Sequence, residues 1–170
     1  MSIETVVDRP RCRPAGVCLD AGVSETAERV LYVAEPTAMW RLRQPVVVDC
    51  SVLVALLFAE ANIDDAAALL ANKRLHAPTL LPFELSNVAR SKLRSGAAAQ
   101  AVHEALDEFA ELSIELHAVS PRVLLDLATH YLLTAYDAAY LWLAGELQAP
   151  LATFDRRLAE AAQKHLGRSG

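Results

Sequence analysis

Cysteine is scarce in this chain: Cys12, Cys18 and Cys50 form an odd set with neither the C-x-x-C spacing of a zinc site nor a disulfide framework. That pattern fits a reducing cytoplasm, with Cys50 a small buried residue. Aromatic residues are only 6% while alanine and leucine dominate, which disfavours an all-β sandwich and favours helices. No window approaches the roughly 18–20 uninterrupted apolar residues of a membrane span, and the nearest one contains Asp49. Arg9, Arg11 and Arg13 are not followed by an apolar stretch of roughly 7–15 residues, so no secretory signal is expected. A positive balance is also missing, since the net charge is −5, and this argues against coating nucleic acid through overall charge. A nucleic-acid substrate stays open, because acids that gather metal ions lower net charge while making a place for phosphate.

What the chain does have is apolar residues, 54% of 170. A chain this long is served by one core and buries roughly 70% of its unfolded surface. Residues 1–44 stand apart: three prolines by Pro36, scattered arginines, and no clear period beyond a weak helical candidate over 24–33. They are expected to form a loosely attached extension, with residues 45–168 as the folded domain. Met39 lies just ahead of the first strong strand and is an alternative natural start, which the intact mass of protein made from its own gene decides. No internal repeat or low-complexity tract occurs.

The chain is organised around Pro45-Val46-Val47-Val48-Asp49-Cys50-Ser51, followed by an apolar run to Leu57. Continuous β-branched residues suit a parallel strand buried on both faces, and the leucine-rich run suits a helix. Further on, helices are expected over about 62–71, 82–94 and 98–112, with Gly96 as a stop signal and Pro82 at a first-turn position. Short strands are expected at 75–77 and 113–117, then a helix begun by Ser120-Pro121, a helix over 136–147 that is apolar nearly all round, a strand over 150–155 and a helix over 156–165. Alternating strands and helices predict a parallel sheet with helices on both faces, a three-layer α/β/α architecture.

Four carboxylates stand out on this plan. Asp49 ends the first strand, Glu84 lies one turn into its helix, Asp137 opens the helix after Thr134-Ala135-Tyr136, and Asp155 ends the last strand. Strand C-termini and the helix N-termini that follow share one edge of a parallel sheet, so Asp49, Asp137 and Asp155 should face one crevice, which Glu84 joins if its helix packs across it. Each also has a structural reading: Asp49 and Asp155 as helix caps, Asp137 as a first-turn acid. Glu84 sits among Leu80, Leu81, Phe83, Leu85 and Val88, where an unpaired charge is costly. Crowded carboxylates repel unless a cation neutralises them, and oxygen ligands without histidine or cysteine suit Mg²⁺ or Mn²⁺ rather than zinc.

With these residues in place, the chain resembles a PIN-domain ribonuclease, and within that family the toxin of a bacterial VapBC toxin–antitoxin pair. The matching pieces are Val46-Val47-Val48-Asp49-Cys50-Ser51, Pro82-Phe83-Glu84-Leu85-Ser86-Asn87-Val88, Thr134-Ala135-Tyr136-Asp137-Ala138-Ala139-Tyr140-Leu141 and Thr153-Phe154-Asp155-Arg156-Arg157-Leu158. The resemblance implies a PIN fold and a Mg²⁺- or Mn²⁺-dependent endoribonuclease that cuts RNA with water to leave 3′-hydroxyl and 5′-phosphate ends. It further implies that Asp49, Glu84, Asp137 and Asp155 are the catalytic, metal-holding acids, with Ser51, Thr153 and Thr134 as polar supports. A homodimer and a VapB-type antitoxin whose tail blocks the crevice follow from the same likeness. The N-terminal extension departs from the family, whose members begin a few residues before the first Asp.

For substrate contact the basic residues beside the crevice are Arg156, Arg157 and Arg90, continued by Lys92 and Arg94, each with an alternative as solvated surface charge. A non-toxin PIN-domain RNA-processing nuclease is the alternative within the fold. A signalling receiver wants a lysine after its last strand, yet the only lysines are Lys73, Lys92 and Lys164. A haloacid-type phosphatase wants an Asp where Ser51 stands. The five histidines show no Ser-His-Asp logic and read as surface residues.

Overall fold

Val46, Val47 and Val48 lose nearly all their solvent exposure because strands flank them on both sides and helices cover both faces. The computed structural model describes residues 43–167. The expected extension over 1–44, apart from its last two residues, lies outside them, as do the helical candidate at 24–33 and the alternative start at Met39. The described order is β1 (Pro45–Val48), α1 (Cys50–Leu57), α2 (Ile63–Leu70), β2 (Arg74–Pro78), α3 (Leu81–Arg94), α4 (Ala99–Glu111), β3 (Ile114–His117), α5 (Pro121–Tyr131), α6 (Ala135–Glu146), β4 (Leu151–Ala152) and α7 (Arg156–Leu166).

All strand pairs are parallel, in the order β3-β2-β1-β4. The chain steps outward from β1 through β2 to β3, then crosses back over both to β4 on the far side of β1. Right-handed crossovers place the helices of outward and returning connections on opposite faces of the sheet. The packing follows that rule: α1 packs with α2, α3 and α4, whereas α6 packs with α5 and α7 and lies on β1 and β2. The result is the three-layer α/β/α architecture. Between β1 and β4 the direction of winding reverses, and this is where an open α/β sheet leaves a crevice beyond its strand ends.

The core runs through β1, α1 and α6. Leu53, Leu81, Leu85, Leu141 and Leu158 are completely buried, each contributing about 1.5–3 kcal/mol of transfer free energy. Helix α6 buries Ala138, Ala139, Tyr140, Leu141, Leu143 and Ala144, as a helix apolar all round requires. Its alanines let it approach the sheet closely, while Tyr140 places a phenol in otherwise apolar surroundings. Helix α3 ends at Arg94, and Gly96 beyond it takes φ +94, the left-handed conformation expected of a glycine stop.

Two expectations need correction. The last strand is two residues long rather than six, so Asp155 follows it in a turn and caps α7 instead of ending the strand. His76 is no surface residue: it is 2% exposed, in the middle of β2. Burial holds its pKa below the usual imidazole range; Glu115 pulls it upward, while His117 and Arg74 add to the lowering. Among the described residues no helix is long and apolar enough to cross a membrane.

Candidate active site

Asp49 is placed by the sheet. Its backbone N–H donates to Ala152 O at 2.9 Å, which carries the β1–β4 ladder one residue past β1 and sets the carboxylate at the reversal point. As N-cap of α1 it has extended backbone, and its Oδ2 accepts from Ser51 N at 3.4 Å, from Ser51 Oγ at 2.5 Å and from Thr153 Oγ1 at 2.9 Å. Both hydroxyls also accept a hydrogen bond: Ser51 Oγ from Phe154 N at 3.0 Å and Thr153 Oγ1 from Asp155 N at 2.9 Å. The two short polar side chains therefore stitch the start of α1 to the β4–α7 turn, so that Asp49 and Asp155 are positioned by one network.

Asp155 caps α7 through Oδ1, which accepts from Leu158 N at 2.9 Å. Thr134 caps α6: its Oγ1 accepts from Asp137 N at 3.1 Å and donates to Asp137 Oδ2 at 2.8 Å. Glu84, in the first turn of α3, receives a hydrogen bond on Oε2 from the buried Tyr140 hydroxyl of α6. The capping readings of Asp49 and Asp155 thus hold, and they coexist with a shared cleft. A cleft of about 420 Å³ is lined by Asp49, Ser51, Glu84, Asp137 and Asp155, with Cys50 and Glu60 among its other walls.

Hydrogen bonding divides each carboxylate in two. Asp49 and Asp137 use Oδ2, Asp155 uses Oδ1 and Glu84 uses Oε2, while the other oxygen of each has no protein partner among the described residues. No buried side-chain oxygen or nitrogen there is left unpartnered, so these second oxygens reach solvent. Each acid is held by one oxygen and offers the other. The offered oxygens stay spread: no three ligand atoms of these acids lie within 4.8 Å of one another, and His76, Glu115 and His117 form the only such trio among the described residues.

The electrostatics follow. Burial raises the Glu84 pKa to about 7; the Tyr140 hydrogen bond opposes this rise, and Asp49 and Asp137 add to it. Tyr140 is itself raised, by burial and then by Glu84, so it remains a phenol and a donor. Burial, then Glu84 and Asp49, push the Cys50 thiol up to about 12, so it stays protonated and is no nucleophile. The donor set is all hard oxygen with more negative charge than the cleft holds comfortably. That fits Mg²⁺ or Mn²⁺, which take one or two protein carboxylates and complete their shell with water and phosphate oxygens.

The three arginines expected to meet substrate are not among the residues lining the cleft. Arg156 is 90% exposed and pairs with Glu160 at 2.8 Å, Arg90 is exposed, and Arg157 donates to Leu132 O at 2.8 Å. Leu132 ends α5 in the left-handed region at φ 56, so Arg157 ties down the strained turn into α6. Tyr140 and Glu60 escaped the sequence reading. A tyrosine inside an apolar helix signals a buried hydroxyl in need of a partner. Glu60 carries no signal, because its place at the cleft comes from the turn after α1 and a 2.6 Å contact with Lys92.

Tyr140→Phe keeps the ring and removes the donor. Hydrogen bonds to charged groups contribute about 1.5–3 kcal/mol, so this variant is expected to melt a few degrees lower. The loss should be larger at pH 8, with Glu84 ionised, than at pH 5. Activity at the cleft should fall roughly tenfold, the effect of about 1.4 kcal/mol. Calorimetry at the two pH values checks it, and equal losses at both would break the Tyr140–Glu84 link.

Comparison with known proteins agrees with this architecture. The PIN domain family model matches residues 46–164. Over 120 residues the chain is 32% identical to Ribonuclease VapC3 of Pyrobaculum aerophilum, spanning 67% of this chain and 92% of that protein. The crystal structure of PAE2754 from the same organism has a TM-score of 0.53 at 24% identity, with 74% of this chain and 88% of that one covered, a likeness of fold. By the length of the family match and the identity to the curated ribonuclease, this chain belongs to the PIN-domain family, as a ribonuclease of the VapC type.

Proposed function

We propose that this protein is a metal-dependent endoribonuclease acting as the toxin of a type II toxin–antitoxin pair. The observation that carries the reading is the division of four carboxylates around one cleft, each with one oxygen hydrogen-bonded to protein and one offered. Asp49, Glu84, Asp137 and Asp155 would hold Mg²⁺ or Mn²⁺ between them, one or two carboxylates directly and the others through its water shell, and the ion would supply activation of the attacking water and compensation of the charge that develops on the phosphate. Ser51, Thr153 and Thr134 keep the acids oriented without taking up their offered oxygens. A bound cation would favour the ionised form of Glu84, against the burial that raises its pKa in the metal-free cleft. Arg156, Arg157 and Arg90 contribute positive charge outside the cleft and would guide the RNA strand.

The nuclease unit spans residues 45–168, with 1–44 an appended extension. A cytoplasmic homodimer held in check by a VapB-type antitoxin completes the proposal. It is tested by incubating the full chain with end-labelled single-stranded RNA and Mg²⁺ and determining the new ends. Internal cuts with 5′-phosphate and 3′-hydroxyl ends are expected; 2′,3′-cyclic phosphate ends would reject attack by water. Expression in a bacterial host should arrest growth, and co-expression with the product of an adjacent DNA-binding gene should relieve it. Unimpaired growth with active protein present would reject the toxin role.

A further inference from the structure

Outside the acidic cleft, β2 and β3 bring together His76, Glu115 and His117. Parallel register sets His76 opposite Glu115, and His117 lies two residues farther along β3 on the same face. His76 Nδ1 lies 3.0 Å from His117 Nε2, and each of these nitrogens lies 3.6 Å from an oxygen of Glu115. Bonds of about 2.0–2.1 Å from a tetrahedral Zn²⁺ to nitrogen and oxygen put neighbouring ligands roughly 3.3 Å apart, so the two ring nitrogens, with one oxygen of the Glu115 carboxylate within 4.8 Å of both, need only a small closure to form one face of such a tetrahedron. Two imidazoles and a carboxylate are the donor set of a borderline d-block cation and differ in kind from the all-oxygen cleft.

We propose that His76, Glu115 and His117 form a second cation site, for Zn²⁺ or a similar d-block divalent ion, that cross-links edge strand β3 to β2 and is separate from the active site. None of the three residues lines the acidic cleft. His117 is level with Asp49 in the register but two strands across the sheet, roughly 10 Å away between backbones. Binding strains little: His76 is already fixed in the core, His117 is half-buried at the strand end, and Glu115 is exposed and free to close on the ion. Two contacts work against it: the hydrogen bond between the two rings must give up its proton to the ion, and Arg74 faces the far nitrogen of His76. The Arg74 Nε–H points at His76 Nε2 from 3.5 Å, and ligation through Nδ1 puts the ring proton on Nε2, so the exposed Arg74 must swing aside. A fourth coordination position is left for water.

The test is titration of the metal-free full chain with ZnCl₂ by calorimetry, repeated with Co²⁺ to read the visible bands of a tetrahedral site. One equivalent of Zn²⁺ is expected to bind in the micromolar range or tighter and to resist millimolar Mg²⁺. His117→Ala and Glu115→Gln, both at accessible positions of an edge strand, should weaken this equivalent by about 100-fold and tenfold respectively and abolish the tetrahedral Co²⁺ bands, with far-UV circular dichroism unchanged. Arg74→Ala should tighten binding. Asp49→Asn and Asp137→Asn should leave it within threefold, which separates this site from the cleft. Zinc affinity unaltered in His117→Ala and Glu115→Gln, or lost in Asp49→Asn, would overturn the proposal. So would wild-type protein that binds no zinc.

Discussion

Asp49→Asn is expected to yield a folded protein that cuts RNA about a thousandfold more slowly, a barrier increase of about 4 kcal/mol. The amide keeps an oxygen to accept from Ser51 and Thr153, so the stitching of α1 to the β4–α7 turn survives. What disappears is the negative charge at the point where sheet, α1 and the turn converge, and with it an oxygen able to hold a hard cation. One fewer charge also relieves repulsion of Glu84. Without added metal the variant should therefore melt at or slightly above the wild-type temperature. Circular dichroism, a melting curve and a cleavage assay together decide it: full activity in a folded variant would remove Asp49 from the chemistry, whereas an unfolded variant would show its role to be capping.

The second large effect couples metal to pH. The folded-state pKa of Glu84 is raised, from about 4.5 to about 7. A carboxyl raised on folding binds more protons in the folded chain than in the unfolded one between those values. The metal-free protein should consequently lose stability as pH rises from about 4.5 to about 7. Below that window the penalty is absent; above it the penalty is complete. A few degrees of melting temperature is the expected size. Mg²⁺ or Mn²⁺ should restore the loss at pH 8 and do little at pH 5, while EDTA should abolish cleavage at any pH. Glu84→Gln should flatten the pH dependence without metal, because the group that titrates is gone. A slope retained in Glu84→Gln would assign the titration to another group, and cleavage that survives EDTA would reject metal dependence.

Much of the fold was legible because local rules agreed with one another. Val46 to Val48 read as a doubly buried parallel strand and is one; the apolar helix of Ala138 to Ala144 read as buried and is. Pro82 and Pro121 sit in first helical turns, where their missing N–H costs nothing. That the four acids line one cleft was legible for the same reason, since strand ends and helix starts of a parallel sheet share an edge. Two misreadings have a physical source. A strand of two residues, such as β4, is defined by its ladder to β1 rather than by a pattern of its own. A histidine in a strand gives no local sign of burial, and His76 is buried because β1 and β3 flank β2.

Runs and periods of apolar residues, caps and chain punctuation decided most of the strands and helices, and which acids stand near their ends, because those preferences act over a few residues. The order β3-β2-β1-β4 is another matter: it is set by strands that pair across long stretches of chain, and together with the helix packing it brings Thr153 to Asp49, Tyr140 to Glu84 and His117 to His76. A side chain's local sequence fixes its chemistry and rough direction. Its partner, its pKa and the oxygen it leaves unused depend on groups that meet it only when the core closes.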